Sequence, residues 1–354
     1  MSTDNVFPAK HTLLIIINCY LCAMKQNKGE RKQHSRTRWW ALLALCMVCM
    51  GAGAQRTFRI MEWNVENVFD TQHDEGHNDE DFLPEGSHHW TANRYWRKLD
   101  EVGKTIIDVG DTVGPPALVG LCEVENDTVL RDLTQRSALR AAGYKYVMTD
   151  SPDRRGVDVA LLYHPSLFAL REHHAVRVPS VQHGMPPTRD LLYAKGQLAT
   201  GDTLHIVVCH LPSKTGGLLG SARHRKLATA TLRTIIDSIQ VISPQAHIIV
   251  MGDFNATFTE SIFRRLSPPL HETLPTSRRA LRQPIGTYYF QKQWSYLDHI
   301  LISTSLCSPQ VPQAHEARLP HLLDKEGLPH RAYKGTAFVG GISDHLPLFL
   351  DLAR

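Results

Sequence analysis

Residues 247–255 read His-Ile-Ile-Val-Met-Gly-Asp-Phe-Asn, an apolar run that stops at a glycine and is followed by polar side chains. An apolar run that ends at a turn residue predicts a buried β-strand. Asp253 and Asn255 project the same way if the chain stays extended, because side chains alternate across a strand. Gly252 permits another backbone to approach closely. The same residues also suit an ordinary turn, so the motif needs support from elsewhere in the chain.

Further apolar runs of similar length are spread along the chain, and each predicts a strand. The predicted strands are residues 57–63, 117–121, 157–163, 204–210, 247–251, 297–303 and 346–351. Between them, apolar residues recur at helical spacing, as Leu99, Val102 and Ile106 do. We expect Asp127 and Ser221 to cap two further helices. Strands that alternate with helices predict an α/β fold.

Several of these runs begin or end next to an acidic, amide or imidazole side chain. Glu123 and His210 follow two of the runs, Asp298 lies at the start of another, and Asp344 and His345 precede the last. Carboxylate oxygens suit Mg²⁺, Mn²⁺ or Ca²⁺, while imidazole and amide groups suit proton transfer and phosphate binding. Metal-assisted hydrolysis of a phosphate ester needs both kinds of group, so the pattern indicates that chemistry.

The motifs that carry these residues follow one another in a definite order along the chain. They are residues 63–67, 121–125, 208–210, 252–255, 297–299 and 343–345. Their sequences and order resemble those of the endonuclease/exonuclease/phosphatase superfamily, which includes DNase I-like nucleases, apurinic endonucleases, sphingomyelinases and inositol phosphatases. The resemblance extends from Arg59 to Leu350. It implies an α/β (α+β) fold of the DNase I type, a four-layered sandwich in which two packed mixed β-sheets are flanked by helices.

The resemblance also implies a bound divalent cation. Glu123 matches the acidic ligand of the catalytic metal in the family. Asn64 matches a strand-end asparagine near the metal and the scissile phosphate, and Glu66 matches a position where some members carry a second acidic ligand. Asp344 matches a ligand of the metal or of a metal-bound water. We expect Mg²⁺, with Mn²⁺ or Ca²⁺ as alternatives.

Five catalytic residues follow from the same resemblance. Asp253 matches the residue that positions or deprotonates the attacking water, and Asn255 matches a phosphate-binding amide. His345 is implied to be the general base, or a cation that stabilises the phosphorane-like oxygens, and Asp298 the carboxylate that orients its imidazole. His210 matches a general acid or phosphate ligand of DNase I-type members.

Two arginines are candidates for a contact with a substrate phosphate. Arg189 lies roughly where nuclease members place an arginine against a backbone phosphate, a task that suits the fork-shaped guanidinium group. Arg155 is a weaker candidate for the same task. A solvent-exposed arginine without a role in binding is the alternative for either residue taken alone.

Residues 1–54 differ in character from the rest of the chain. A basic stretch from Lys25 to Arg38 precedes an apolar run from Trp39 to Met50, and Ala52-Gly53-Ala54 supplies a small-residue cleavage site. These features predict a signal peptide that starts at Met24 and is cleaved after Ala54. The apolar run is shorter than the ~20 residues of a membrane span, and an uncleaved anchor is the alternative. Residues 55–354 are then expected to be one exported domain, periplasmic or secreted.

The predicted leader also carries the excess of positive charge. The chain has 39 Lys and Arg residues and 35 Asp and Glu residues. Without the seven basic and two acidic residues of positions 1–54, 32 basic and 33 acidic residues remain, a net charge of −1. This balance excludes a global positive field that would attract nucleic acid. Beyond the leader, Cys122, Cys209 and Cys307 are odd in number and unclustered, which predicts buried thiols rather than a disulfide framework.

The sequence thus predicts a divalent-metal-dependent phosphodiesterase, with an exported endonuclease that acts on DNA or RNA as the first choice. The alternative is hydrolysis of a phospholipid head group, as in sphingomyelinases, or of a small phosphate ester. No aromatic hairpin for membrane contact is recognisable in the sequence. A catalytically inactive binding module is a third possibility, which the complete set of site residues opposes. We expect a monomer without a stable protein partner.

Overall fold

Strand β1 runs through the middle of the fold, and its side chains alternate between two cores. In the computed structural model, which describes residues 56–214, 218–275, 285–307 and 309–354, β1 spans Thr57–Val68. Phe58 and Ile60 face one core, while Met61 and Trp63 face another. Both faces of the strand are therefore covered, which agrees with its largely apolar sequence. The predicted leader, residues 1–54, lies outside the described residues.

Two six-stranded sheets contain the strands that the sequence predicted. In spatial order, the first consists of β13 (Ala314–Glu316), β16 (Leu348–Ala353), β1, β2 (Leu118–Val124), β4 (Asp158–Tyr163) and β3 (Lys145–Met148). The second consists of β5 (Phe168–Val176), β6 (Leu191–Leu198), β7 (Thr203–His210), β8 (His247–Asp253), β12 (Asp298–Ser303) and β9 (Leu270–Glu272). Each sheet is mixed, because β1–β2 and β7–β8 are parallel pairs within otherwise antiparallel sheets.

Two short hairpins stand apart from these sheets. The first pairs β10 (Tyr288–Phe290) with β11 (Gln293–Ser295), and the second pairs β14 (Tyr333–Lys334) with β15 (Ala337–Phe338). The first hairpin carries two tyrosines, a phenylalanine and a tryptophan, so the structure contains an aromatic hairpin that the sequence analysis did not recognise. Its aromatic side chains are too few and its strands too short to give a periodic signal.

Helices cover the outer face of each sheet. The α-helices among the described residues are α1 (Ala92–Gly110), α2 (Asp127–Gln135), α3 (Leu218–Ile242) and α4 (Phe263–Leu266). Single turns of 3₁₀ helix occur at Glu80–Phe82, Asp111–Val113, Ala138–Ala142, Val181–His183, Thr304–Leu306 and Pro320–Leu322. Helices α1 and α2 share a core with the first sheet, and α3 and α4 share a core with the second. A third core lies between the two sheets, where Ile60 and Leu350 of the first meet Ile206 and Ile249 of the second. The predicted four-layered sandwich is thus confirmed.

The helix caps differ from the two predicted ones. Asn126, not Asp127, caps α2, because its Oδ1 accepts a hydrogen bond from the backbone N–H of Val129 at 3.1 Å. The two residue types are equally good caps, so the sequence could not choose between neighbours. Ser221 lies inside α3, which begins at Leu218, so the predicted cap there is wrong.

The described part of the chain forms one compact unit, Arg56–Arg354. Within the described ranges, no helix is long and apolar enough to cross a membrane. The three cysteines outside the predicted leader are free thiols; Cys122 and Cys209 are buried as predicted, whereas Cys307 is only partly buried. Parallel strands end at the same edge of a sheet, so the ends of β7 and β8 bring their last residues together. The candidate site lies at this edge.

Candidate active site

Three of the predicted residues lie side by side at one edge of the second sheet. His210 is the last residue of β7, Asp253 is the last of β8, and Asp298 is the first of β12. The strand registers pair His210 with Asp253 and Asp253 with Asp298. All three side chains are buried. The fold therefore places these three residues in one short row, although His210 and Asp298 are 88 positions apart in the sequence.

The carboxylate of Asp253 is the point where the polar groups of both sheets meet. Its Oδ2 atom accepts hydrogen bonds from Asn64 Nδ2 at 3.1 Å and from Asn255 Nδ2 at 3.3 Å. The Nε2 atoms of His210 and His345 lie 3.6 and 3.9 Å from the same oxygen. Asp253 Oδ1 accepts the backbone N–H of Asn255 at 2.7 Å. Four of the predicted site residues, Asn64, Asn255, His210 and His345, thus surround the carboxylate of Asp253.

The imidazole of His345 is held in one orientation by its surroundings. Its Nδ1 atom is hydrogen-bonded to Asp298 Oδ2 at 2.7 Å, and the hydroxyl of Thr287 donates to the same oxygen at 2.5 Å. The backbone N–H of His345 donates to Ser343 Oγ at 3.0 Å, and Trp63 Nε1 donates to the carbonyl of His345 at 3.0 Å. A carboxylate on Nδ1 fixes the tautomer and leaves Nε2 directed toward Asp253.

Burial and neighbouring charges give these groups different protonation states. Burial and the nearby Asp298 carboxylate raise the pKa of Asp253 to about 7. Burial alone would lower the pKa of His345, but the hydrogen-bonded Asp298 raises it well above the usual value of 6.5. Burial and the positive charge of Arg189 hold the pKa of His210 well below that value. These shifts favour the protonated form of His345 and the neutral form of His210, while the pKa of Asp253 is close to neutral pH.

Two further carboxylates approach this row from the first sheet and from the loop before β16. Glu123 lies in β2, and its Oε1 atom is 3.9 Å from His210 Nε2. Asp344 Oδ1 is 4.0 Å from His345 Nε2, while its Oδ2 accepts a hydrogen bond from Arg331 Nη2 at 3.0 Å. The predicted ligands Glu123 and Asp344 therefore flank the imidazoles of His210 and His345.

The third carboxylate, that of Glu66, lies near the same space. Burial and then the charge of Asp344 raise the pKa of Glu66 to about 8. Lys98, on the buried face of α1, donates a hydrogen bond from Nζ to the backbone carbonyl of Glu66. Burial lowers the pKa of Lys98, and the carboxylates of Glu66, Glu123 and Asp344 oppose that shift. The charge of one ammonium group thus acts on all three carboxylates.

Several residues at this site have unusual backbone conformations. Glu66, Asn67, Glu123 and Asn255 have φ angles of 52°, 52°, 67° and 48°, in the left-handed region that residues other than glycine seldom adopt. Gly252 has a φ of 146°, and a Cβ atom there would lie 1.8 Å from the carbonyl oxygen of residue 209. Residues in such conformations tend to cluster at functional sites, where the surrounding contacts maintain them.

Arg189 does not occupy the position that the sequence analysis expected. Its guanidinium group is buried and is paired with Asp153 at 2.9 Å. It also donates to the backbone carbonyls of His210 at 3.3 Å and Leu211 at 2.9 Å. Because the group is used inside the protein, Arg189 fixes the end of β7 instead of facing a substrate phosphate. Arg155 is more exposed and lies 3.5 Å from Glu123 Oε1.

The family assignment of the chain comes from its sequence. The profile of the endonuclease/exonuclease/phosphatase family matches residues 59–354. The chain belongs to this family. A comparison of this family member with curated proteins found no match.

Solved structures with the same fold are similar to this family member at low sequence identity. The catalytic domain of human Nocturnin with bound sulfate aligns with a TM-score of 0.53 at 19% identity, over 83% of this chain and 93% of that one. Truncated TDP2 of Caenorhabditis elegans gives 0.55 at 14% identity, over 84% and 98%. The mannosyl-6-phosphatase of Bacteroides thetaiotaomicron gives 0.55 at 15% identity, over 84% and 100%. These similarities concern the fold.

Family members generally depend on a divalent cation, and this family member has donor atoms that fit one. Glu66, Glu123 and Asp344 offer the hard carboxylate oxygens that Mg²⁺ prefers. A second candidate group consists of Asp253, Asp298 and His345, whose ligand atoms lie within 4.8 Å of one another. In that group, the hydrogen bond between Asp298 and His345 has the geometry of an acid–base pair. Glu66, Glu123 and Asp344, the three outer carboxylates, remain the cation ligands that the sequence predicts.

Sequence reasoning missed three charged residues that the structure brings to this site. Lys98 lies on the same buried stripe of α1 as Leu99 and Val102. A lysine in an otherwise apolar helical stripe could have indicated a buried charge at the site. Glu62 follows Phe58 and Ile60 at a spacing of two residues, so it lies on the same face of β1. This spacing could have predicted that Glu62 lies between the sheets. Arg331 had no such signal, because it lies in an irregular segment whose path the sequence does not predict.

Proposed function

We propose that this protein is a divalent-metal-dependent phosphoesterase that uses water activated by Asp253 as its nucleophile. The observation that carries the proposal is the buried Asp298–His345 pair, whose free imidazole nitrogen lies 3.9 Å from Asp253. A carboxylate-oriented imidazole beside a second carboxylate of nearly neutral pKa is suited to proton transfer at physiological pH. The three outer carboxylates add a place for a cation next to these groups.

In the proposed reaction, the oxygen of water forms a bond to phosphorus while the bond from phosphorus to the ester oxygen breaks. Asp253 accepts a proton from the water. His345, in its protonated form, stabilises the charge on the phosphoryl oxygens and supplies a proton to the leaving oxygen. His210 is neutral and can donate one hydrogen bond to a phosphoryl oxygen. Asn64 and Asn255 hold the carboxylate of Asp253 in place through the hydrogen bonds described above.

The cation is proposed to be Mg²⁺, with Mn²⁺ or Ca²⁺ as substitutes. Glu123 would hold it together with Glu66 and Asp344, and Asn64 lies beside this group. When bound, it would polarise a phosphoryl oxygen and neutralise the charge that develops there. Lys98 would stay near the same carboxylates and limit their mutual repulsion.

The structure supports a small phosphate ester as the substrate better than the nucleic acid that the sequence analysis placed first. Arg155 is close to Glu123 and Asp153, and Arg331 is bonded to Asp344. Because Arg155 and Arg331 are already paired, these two cations offer little attraction to a polyanionic strand. A cavity of about 320 Å³ also opens beside Asp344, and this volume is at the lower end of the range for small-molecule sites. A small ester is therefore the favoured substrate class, and nucleic acid is the second.

The proposal is tested with p-nitrophenyl phosphate, bis(p-nitrophenyl) phosphate and supercoiled plasmid DNA, each with Mg²⁺, Mn²⁺, Ca²⁺ or EDTA. We expect metal-dependent hydrolysis that is lost in His345→Ala and kept in the control His183→Ala, an exposed histidine in a 3₁₀ turn. Hydrolysis that survives EDTA, or that survives His345→Ala, would overturn the proposal. Efficient nicking of plasmid DNA together with slow release of p-nitrophenol would indicate that nucleic acid is the preferred substrate.

We also propose that the protein is exported by a cleaved signal peptide. The proposal is supported by the basic stretch, the apolar run and the Ala-Gly-Ala site within residues 25–54. N-terminal sequencing of the protein purified from its native cells tests it. Gln55 is the expected first residue, whereas a protein that retains residues 39–50 would indicate an anchor.

A further inference from the structure

A cavity of about 320 Å³ lies directly beside the catalytic groups. One wall is the β10–β11 hairpin and the other is the segment 324–334. Asp344 and Arg331 line the end that faces the site. On the hairpin, the ring of Tyr288 lies 4.7 Å from the ring of His345, and the two residues form a backbone bridge. A molecule in this cavity would therefore have an ester group within reach of the acid–base cluster.

The polar groups in the cavity suit a ligand that both donates and accepts hydrogen bonds. Gln291, Glu326 and Lys334 line it, and their side chains have no hydrogen-bond or ion-pair partner among the described residues. Asp324 also lines it, and its Oδ1 atom accepts the backbone N–H groups of residues 326 and 328 at 2.9 and 3.0 Å. These contacts fix the direction of the carboxylate. Carboxylates accept hydrogen bonds only, so they match the hydroxyl groups of a ligand.

The remaining walls are apolar and suit a flat or puckered ring. Tyr289 and Phe290 line the hairpin side, while Leu328 and Pro329 line the other. Tyr289 is held by the ring of Trp294 at 5.2 Å, so this wall is supported from behind. The C–H faces of a sugar ring pack well on aromatic and aliphatic surfaces, as apolar groups do. The volume corresponds to one ring and not to a chain of them.

We propose that this cavity binds the alcohol part of the substrate and selects a hydroxyl-rich, uncharged ring, as in a hexose phosphate or a cyclitol phosphate. The proposal rests on the phosphoesterase function proposed above. Asp324 and Glu326 would accept hydrogen bonds from ring hydroxyls, and Gln291 and Lys334 would donate to ring and hydroxyl oxygens. The same carboxylates would repel the phosphates of a nucleic-acid strand or a nucleotide diphosphate, because like charges at an interface oppose binding.

The test compares steady-state hydrolysis of glucose 6-phosphate, myo-inositol 1-phosphate, adenosine 5′-monophosphate and p-nitrophenyl phosphate at one Mg²⁺ concentration. We expect the two polyol phosphates to have the highest kcat/KM. Glu326→Gln is expected to raise KM for them about 10-fold, with little change in kcat, because one hydrogen bond to a charged group is lost. The effect of Glu326→Gln on p-nitrophenyl phosphate, which lacks the hydroxyls, should be much smaller. Asp237→Asn, on the exposed face of α3, is the matched control.

Two outcomes would overturn the inference while leaving the phosphoesterase function intact. One is faster hydrolysis of adenosine monophosphate, plasmid DNA or phosphocholine lipid vesicles than of the polyol phosphates. The other is an equal effect of Glu326→Gln on polyol phosphates and on p-nitrophenyl phosphate. Calorimetric titration of Asp253→Asn with glucose 6-phosphate separates binding from chemistry. Saturable binding without any hydrolysis by the wild-type protein would support the cavity and refute the proposed function.

Discussion

Replacing Asp298 by Asn removes one negative charge from the site while nearly preserving the shape of the side chain. The carboxylate is fully buried and is bonded to His345 Nδ1 at 2.7 Å. A hydrogen bond to a charged group contributes about 1.5–3 kcal/mol, and about 1.4 kcal/mol corresponds to a tenfold change in rate. If the charged imidazole is needed in the transition state, kcat should fall about 10- to 150-fold in Asp298→Asn.

The same substitution predicts a shift in the pH–rate profile. In the wild-type protein Asp298 raises the pKa of His345, so the imidazolium persists above neutral pH. A histidine whose pKa is raised by folding stabilises the folded protein most at pH values below its pKa in the unfolded chain. This stabilisation is lost as the pH rises through its pKa in the folded protein. In the variant, the alkaline limb of kcat/KM should move down toward the ordinary histidine range of about 6.5. The pH dependence of the melting temperature should weaken in the same interval.

Stopped-assay rates with p-nitrophenyl phosphate between pH 5 and 10 measure both effects. Asp237→Asn serves as control, since its carboxylate is half-exposed and paired with Arg233 at 2.7 Å on α3. A variant whose kcat stays within twofold of wild type, with an unmoved alkaline limb, would refute the role assigned to the pair. If Asp298→Asn melts at a much lower temperature than the wild type, the test is repeated with Thr287→Val. That variant removes only the hydrogen bond from the Thr287 hydroxyl to the Asp298 carboxylate.

Four other predictions follow from single residues of the site. Glu123→Gln should lower Mn²⁺ affinity in calorimetric titration at least 10-fold with an unchanged melting temperature, and unchanged affinity would remove it from the cation site. Gly252→Ala should yield insoluble protein, because the new Cβ would lie 1.8 Å from the carbonyl of Cys209; a soluble, active variant would contradict the register of β7 and β8. Ser343→Ala removes two buried hydrogen bonds and should cost about 1–3 kcal/mol of unfolding free energy in urea, whereas no loss would mean that the loop repacks. The pKa of Asp253 is raised to about 7 in the folded protein, so ionisation of this carboxyl group weakens the folded state as the pH rises. The metal-free Asp253→Asn variant should therefore melt at a higher temperature than the wild type at pH 8.5, and at the same temperature below about pH 4. A lower melting temperature of the variant at pH 8.5 would contradict this.

The parts of the fold that the sequence predicted are those with a strong local pattern. The apolar runs at 247–251 and 297–303 became buried strands of the second sheet, and the stripe that includes Leu99 and Ile106 became the buried face of α1. The family motifs predicted which polar residues would meet, and the registers of β7, β8 and β12 bring them together. Local periodicity and motif order were sufficient for these features because each strand is buried on both faces.

Other features depend on contacts that no local pattern records. Arg189 was expected on the surface of the site, but whether a guanidinium faces solvent or backbone carbonyls depends on how β7 packs. The β10–β11 hairpin has strands of only three residues each, too short for an alternating pattern. Arg331 reaches Asp344 from an irregular loop. The hairpin and Arg331 line the cavity beside the site, so the proposed substrate class could not be predicted from the sequence.

The most direct test of the account is hydrolysis of p-nitrophenyl phosphate in ¹⁸O-labelled water with Mg²⁺, followed by mass spectrometry of both products. Metal-dependent attack of water on phosphorus at this site predicts that one ¹⁸O atom enters the phosphate and none enters the phenol. It also predicts that label incorporation disappears with EDTA and in His345→Ala. Label in the phenol, or incorporation that is equal in the variant and the wild type, would contradict the assignment of this site.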